Sequence, residues 1–166
     1  MSKSKEQIAE ILKTAIRGEE DGYKFYNIMV DKTVNPTAKR KLEGLRDDEI
    51  EHRRVLVEMY QKFVGGEVGE LPERGLSVLT EVFNKGKVES LNTEMEFINL
   101  AIEAELAATK FYQQERDAVD DPEFGKLLDQ LADEEHGHFE LLQAEKDALA
   151  GNYSWFGYDT GSPLEH

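Results

Sequence analysis

The chain has no cysteine among its 166 residues, and it has only four prolines and one tryptophan. The lack of cysteine excludes disulfides, catalytic thiols, zinc–thiolate sites and iron–sulfur clusters. Basic residues are also few, because 20 Lys and Arg stand against 35 Asp and Glu, for a net charge of −15. Binding of nucleic-acid phosphates needs a surface rich in Lys and Arg, so the charge balance argues against a nucleic-acid partner.

Long hydrophobic runs are missing as well. No apolar run approaches the roughly 18 residues that a membrane-spanning helix needs, and no signal peptide precedes the first helical pattern. We therefore expect no membrane partner and a cytoplasmic location. Residues 1–150 have the size of one ordinary domain with a single core.

Residues 151–166 form a tail rich in aromatic side chains, which we expect to cover apolar surface on the bundle or on a dimer mate. These aromatics are Tyr153, Trp155, Phe156 and Tyr158. The final Leu164, Glu165 and His166 resemble the start of an affinity tag, so His166 is left out of the candidate site.

Four long segments have the apolar spacing of amphipathic helices. Each begins with either a capping box or a cap residue followed by proline. These starts are Ser4, Asn35-Pro36, Thr93 and Asp121-Pro122. A fifth, short amphipathic helix is suggested between the second and third segments by Leu76, Leu79, Val82 and Phe83.

The second half of the chain repeats the first at a constant offset of 86 positions. Lys24-Phe25-Tyr26 recurs as Lys110-Phe111-Tyr112, and Pro36 recurs as Pro122. The turn within each copy is short, so each copy is an antiparallel helical hairpin, and the linker near 65–92 can run the length of a bundle. The sequence therefore predicts an all-α fold, a ferritin-like four-helix bundle of two duplicated hairpins joined by a long crossover.

Six polar residues interrupt the apolar stripes at the middle of the four helices. The second and fourth helices each contribute a Glu and a His three positions apart, which share one helix face. The first and third helices each contribute one Glu. The repeat identifies it, because Glu19 matches Glu105, whereas Glu20 matches Leu106. The six residues are Glu19, Glu49, His52, Glu105, Glu135 and His138.

Burying four ionised carboxylates together is costly unless cations compensate them. Four Glu and two His supply enough ligands for two ions, a constellation known from di-iron and di-manganese carboxylate proteins. Imidazole with carboxylate and without thiolate favours iron, manganese or a mixed pair over structural zinc. The alternative is a metal-free helical interaction module whose polar residues satisfy one another.

The chain resembles the rubrerythrin-like branch of the ferritin-like superfamily over roughly positions 5–150. The matching stretches are AIRGEEDGYKFY, LRDDEIEH, AIEAELAATKFY and LADEEHGH. The resemblance implies that Glu19 and Glu105 are terminal ligands and that Glu49 and Glu135 are bridging ligands. It gives each metal one nitrogen, from His52 and His138.

The resemblance also implies hydrogen-bond partners for these ligands. The acid before each bridging glutamate would orient the histidine of the opposite hairpin, Asp48 with His138 and Glu134 with His52. Two tyrosines would hydrogen-bond to ligand carboxylates across the bundle, unless they are simply aromatic core residues. These tyrosines are Tyr26 and Tyr112.

The chain departs from its relatives at several positions. Full-length rubrerythrins have a four-cysteine rubredoxin centre, so here the reductant must be a separate donor protein or a small molecule. Where those proteins use an extra glutamate, this chain has Ala108, or Ile102 on the other side. Ile50 stands where bacterioferritins have a haem-binding Met, so we predict no haem. His136 lies off the stripe and is predicted to be a surface residue.

Three functions remain open from the sequence. The first is an oxidoreductase of oxidative stress that reduces hydrogen peroxide or dioxygen at two metal ions, as a homodimer with an external electron donor. The second is an iron-oxidising storage or detoxification protein. The third is the metal-free interaction module.

Overall fold

The computed structural model describes residues 3–73, 75–151 and 153–156, which form five α-helices and no strand. The helices are α1 (Lys5–Lys32), α2 (Pro36–Phe63), α3 (Val78–Asn84), α4 (Glu94–Ala118) and α5 (Pro122–Leu149), with a 3₁₀ turn at Val88–Ser90. The all-α ferritin-like fold predicted from the sequence is confirmed. No helix in the described part of the chain is long and apolar enough to span a membrane.

The four long helices begin at the predicted residues because each cap side chain accepts a hydrogen bond from the first turn. Ser4 and Thr93 form complete capping boxes with Gln7 and Glu96. The other two caps, Asn35 and Asp121, precede a proline at the first helical position. Two glycines with φ of 93° and 73° follow α2, a conformation that other residues adopt at a cost.

Two apolar clusters fill the bundle, one towards each end. The first contains Phe25 and Met29 from late α1 together with Phe97 from early α4. The second contains Leu12 from early α1 and Tyr112 from late α4. α1 and α4 are therefore antiparallel, and the two hairpin turns lie at opposite ends of the bundle. The centre of the bundle, between the clusters, is where the polar residues lie.

The crossover packs α3 against α1 and α4. The sequence suggested that Leu76 belongs to this short helix. α3 begins at Val78, however, so Leu76 lies before it. Asp21 of α1 is 1% exposed and accepts hydrogen bonds from Thr80 and from Arg17. Arg17 also donates to the Pro72 carbonyl at 3.2 Å, so α1 holds the crossover at two points.

The described part of the tail folds back onto its own bundle. The Trp155 side chain is fully buried in the first apolar cluster. Its indole Nε1 donates to Glu145 at 3.2 Å, and its carbonyl accepts from the Val34 amide in the α1–α2 turn at 2.8 Å. Glu94, at the start of α4, accepts from the Trp155 and Phe156 amides. Tyr158 lies outside the described residues.

Candidate metal centre

The structure brings all six polar residues together between the two apolar clusters. Each comes from the middle of a long helix, and their exposed fractions lie between 1% and 6%. α1 and α4 contribute one glutamate each, and α2 and α5 contribute a glutamate and a histidine each. Their convergence follows from the duplication, because each hairpin presents the same pattern to the same interface.

Two overlapping groups of these residues have the geometry to hold a cation. In each group, one ligand atom per residue lies within 4.8 Å of all the others. The first group is Glu19, Glu49, His52 and Glu135, and the second is Glu49, Glu105, Glu135 and His138. Glu49 and Glu135 belong to both groups, which is the arrangement that two bridging carboxylates require.

The histidine Nδ1 atoms point into the cluster. His52 Nδ1 lies 2.7 Å from Glu135 Oε1 and 3.4 Å from Glu19 Oε2. His138 Nδ1 lies 3.4 Å from Glu105 Oε1 and 3.5 Å from Glu49 Oε1. The two imidazole rings are stacked, with centroids 5.9 Å apart.

Five buried side-chain atoms have no hydrogen-bond partner within the described residues, and all five belong to this cluster. They are Glu19 Oε2, His52 Nδ1, Glu105 Oε2, Glu135 Oε1 and His138 Nδ1. Buried polar atoms are almost always hydrogen-bonded, since leaving one unpaired costs about 1–3 kcal/mol. These atoms come from all four long helices and lie in the groups that could hold a cation, so they fit a metal pair.

The outer nitrogen of each histidine contacts an acid of the opposite hairpin. His52 Nε2 lies 3.2 Å from Glu134 Oε1, and His138 Nε2 lies 3.0 Å from Asp48 Oδ2. A carboxylate only accepts, so Nε2 must be the protonated nitrogen. In a neutral imidazole this tautomer leaves the Nδ1 lone pair directed into the cluster, as metal binding requires.

Two tyrosines hydrogen-bond to the glutamates of α1 and α4. The Tyr26 hydroxyl donates to Glu105 Oε1 at 2.5 Å, and the Tyr112 hydroxyl donates to Glu19 Oε1 at 2.6 Å. Each bond occupies one carboxylate oxygen and leaves Oε2 directed inward. Burial and the nearby carboxylates raise the pKa of both phenols well above 10, so both stay protonated.

The pKa values divide the four glutamates into two pairs. Burial raises the pKa of Glu49 and Glu135 well above 4.5, and repulsion from the other carboxylates adds to the rise. Burial also acts on Glu19 and Glu105, but hydrogen bonds to neighbouring side chains and the adjacent histidine charge lower their pKa. The shared glutamates are therefore the pair that is harder to ionise when no cation is bound.

The pKa values of His52 and His138 are raised to about 11. Burial opposes protonation of both rings, but hydrogen bonds and charge from neighbouring glutamates outweigh it. In the metal-free cluster both imidazoles are therefore held protonated beside the glutamates.

A small cavity of about 20 Å³ lies beside the cluster. Ala108, one of the two positions compared above with the extra glutamate of rubrerythrins, lines it. A β-carbon on Gly22 would lie 3.2 Å from Glu49 Cδ, so this glycine lets α1 approach the shared carboxylate closely. His136 is exposed and contacts Glu140 at 3.2 Å, which confirms it as a surface residue.

The sequence analysis missed two buried acids outside the cluster, Asp21 and Glu145. The repeat carried a signal for both. Asp21 corresponds to Ala107, and Glu145 corresponds to Met59 on the apolar stripe of α2. An acid that replaces an apolar residue at an equivalent position indicates a contact present in only one hairpin.

Comparison with known proteins supports the assignment of the fold. The rubrerythrin family model matches residues 10–146. A hypothetical protein from Pyrococcus furiosus is 28% identical, with a TM-score of 0.73 over 86% of this chain and 90% of that one. Two CopM structures, in Cu(I)-bound and Ag-bound forms, are each 14% identical, with TM-scores of 0.69 and 0.68. Each covers 87% of this chain and 98% of CopM. No curated protein sequence matches.

Proposed function

This chain belongs to the rubrerythrin family, and we propose that it binds two iron ions and uses them to reduce hydrogen peroxide with electrons from an external donor. The observation that carries the proposal is the set of five unpartnered buried atoms, all within the six-residue cluster. The five residues that carry these atoms all belong to the two overlapping groups that could hold a cation. Manganese, alone or mixed with iron, would suit the same ligands.

Each residue has a distinct task in this proposal. Glu19 and His52 would hold one ion, Glu105 and His138 the other, and Glu49 and Glu135 would be shared by both. Tyr112 and Tyr26 fix the rotation of the two terminal carboxylates. Reducing one peroxide to two waters takes two electrons and two protons, and two ferrous ions supply both electrons.

The charges of the cluster suit two divalent cations. Four carboxylates carry a charge of −4 when fully ionised, and two neutral imidazoles add none. Two divalent ions would therefore give a neutral centre, which is the state that costs least to bury. Binding would displace one proton from each of the two imidazoliums.

The likeness to CopM raises copper as a second metal. CopM is only 14% identical, so it shares the fold with this chain and nothing more can be concluded. Soft Cu(I) prefers thiolate and thioether ligands. This chain has no cysteine, and Met29, the methionine of α1, is fully buried in an apolar cluster. The carboxylate and imidazole set favours a harder ion.

Rapid mixing tests the proposed reaction. Anaerobic, iron-loaded protein should be oxidised faster by hydrogen peroxide than by dioxygen, and it should elute from a sizing column as a small oligomer such as a dimer. A preference for dioxygen would leave only an oxidase. A shell-sized assembly that accumulates many irons per chain would support the storage function instead.

A further inference from the structure

Two cavities meet at the crossover. The inner cavity, of about 20 Å³, is lined by Glu19, Glu49, Glu105 and Glu135 of the cluster. The outer cavity, of about 720 Å³, lies between α3 and α4. Both are lined by Leu76 and Ser77, so these two residues form the wall between them.

Leu76 packs closely against Gly18 of α1. A β-carbon on Gly18 would lie 2.5 Å from Leu76 Cγ and Cδ1, closer than side chains approach one another. The Leu76 side chain therefore occupies the space that any other residue at position 18 would fill. The hydrogen bonds from Thr80 and Arg17 to buried Asp21 hold the neighbouring chain in this position.

The inner cavity is very small. A cavity needs about 10–15 Å³ to admit one water molecule, so 20 Å³ has room for a molecule of one or two heavy atoms. Its other lining residues are Gly18, Gly22, Ala104 and Ala108, which are too small to close it further, and the longer Tyr26 and Leu79. Of all its lining residues, Leu76 and Ser77 are the two that also line the outer cavity, so access from that side depends on them.

The outer cavity has an acidic lining, with Glu73, Glu81 and Glu103 against Lys85. An acidic recess raises the local concentration of cations. Through Leu76 and Ser77 it adjoins the inner cavity, which the buried Glu19 and Glu105 line. Cations and small neutral oxidants would therefore reach the cluster by the same short passage.

We propose that Leu76 is the specificity-determining residue of the centre, because its side chain closes the passage from the outer cavity to the carboxylate cluster. The proposal rests on the proposed function for the identity of the oxidant, but not for the existence of the passage. Replacing Leu76 by alanine would join the two cavities. Solutes larger than hydrogen peroxide would then reach the glutamates.

Leu71 supplies a matched control. It lies in the same crossover, is partly buried against the same apolar cluster as Leu76, and lines neither cavity. The variants Leu76→Ala and Leu71→Ala therefore remove the same atoms from the same kind of packing. Circular dichroism and the metal content at saturation would show that both remain folded with an intact cluster.

The first measurement uses metal-free protein and Co²⁺, whose absorption reports binding without any redox step. We expect Leu76→Ala to take up Co²⁺ several-fold faster than wild type, with unchanged stoichiometry, and Leu71→Ala to match wild type. Equal uptake by all three proteins, or equal acceleration in both variants, would overturn the proposal that Leu76 closes the passage. Wild type that binds no Co²⁺ would instead overturn the proposed metal centre.

The second measurement compares oxidants of different size on the iron-loaded proteins. The ratio of the oxidation rate with tert-butyl hydroperoxide to that with hydrogen peroxide should rise several-fold in Leu76→Ala only. An unchanged ratio would overturn selection by size at Leu76. Failure of the wild type to react with either peroxide would count against the proposed peroxidase function, while the Co²⁺ result still decides the passage.

Discussion

The Tyr112 hydroxyl donates a hydrogen bond of 2.6 Å to Glu19, which lies 93 positions earlier in the chain. The bond joins α4 to α1 at the centre of the bundle. It occupies Glu19 Oε1 and leaves Oε2 unpartnered beside His52 Nδ1, at 3.4 Å. Tyr112 thus sets the direction in which Glu19 presents its free oxygen.

Removing the Tyr112 hydroxyl should weaken metal binding without unfolding the protein. In Tyr112→Phe the Glu19 carboxylate can rotate, and we expect affinity at the ion held by Glu19 and His52 to fall about tenfold. Titration of metal-free protein with Fe²⁺ or Co²⁺ measures this. The control is Tyr60→Phe, a buried tyrosine of the same apolar cluster that lies outside the metal centre. Equal affinities in the two variants would contradict the positioning role.

Metal binding should release at least about two protons per chain near neutral pH, one each from His52 and His138, whose pKa values are raised to about 11 in the metal-free protein. Glu49 and Glu135, whose pKa values are also raised, would add to this count to the extent that they are protonated at the pH of the measurement. Calorimetric titrations in buffers of different ionisation enthalpy count the protons. Release of none would mean that the cluster is already ionised, contrary to the charge neutralisation argued above.

The raised pKa values also fix how stability depends on pH. The histidine contribution to the metal-free fold is fully present below pH 6.5 and is lost as the pH rises towards about 11. The contribution of Glu49 and Glu135 is present below pH 4.5 and is lost as the pH rises through their raised pKa values.

Metal-free protein should therefore have a lower melting temperature as the pH rises. Metal binding should become stronger over the same range, because fewer protons compete with the metal for the ligand atoms. We expect the increase in melting temperature caused by metal to be larger at about pH 8 than at about pH 6. Thermal unfolding with and without metal at both pH values checks this. An increment that shrinks with pH would contradict ligation by these residues.

The tail should detach when Glu145 loses its charge. Glu145 accepts hydrogen bonds from Lys41, Tyr153 and Trp155, and although burial opposes its ionisation, these bonds lower its pKa. A lowered pKa stabilises the fold above pH 4.5, and this contribution is lost as the pH falls through the lowered value. Trp155 is the only tryptophan, so its fluorescence reports the docked tail.

Glu145→Gln should shift the Trp155 emission to longer wavelength at neutral pH, as the buried indole becomes exposed to water. The same shift should appear in wild type only on acidification below pH 4.5. Glu140→Gln, an exposed position on the same helix, is the control. An unchanged emission in Glu145→Gln would show that apolar packing alone holds the tail.

The helices and the cluster could be read from the sequence because both are local or repeated. Helix caps such as Ser4 lie next to the helix that they begin. The offset of 86 distinguishes Glu19, which recurs as Glu105, from Glu20, which recurs as Leu106. The partners of Asp21 and Glu145 could not be predicted, since they depend on the path of segments without periodicity. Thr80 lies in the crossover and Trp155 in the tail, and neither has a counterpart in the other hairpin.

The central claim is that six residues hold two metal ions per chain, and elemental analysis of iron-loaded, gel-filtered protein tests it most directly. The decisive variant is Glu49→Ala with Glu135→Ala, which removes both shared carboxylates. Its control is Glu51→Ala with Glu140→Ala, which removes two exposed glutamates from the same helices. We expect about two ions per chain in wild type and control, and none in the decisive variant. Wild type without metal, or equal metal content in all three proteins, would contradict the account.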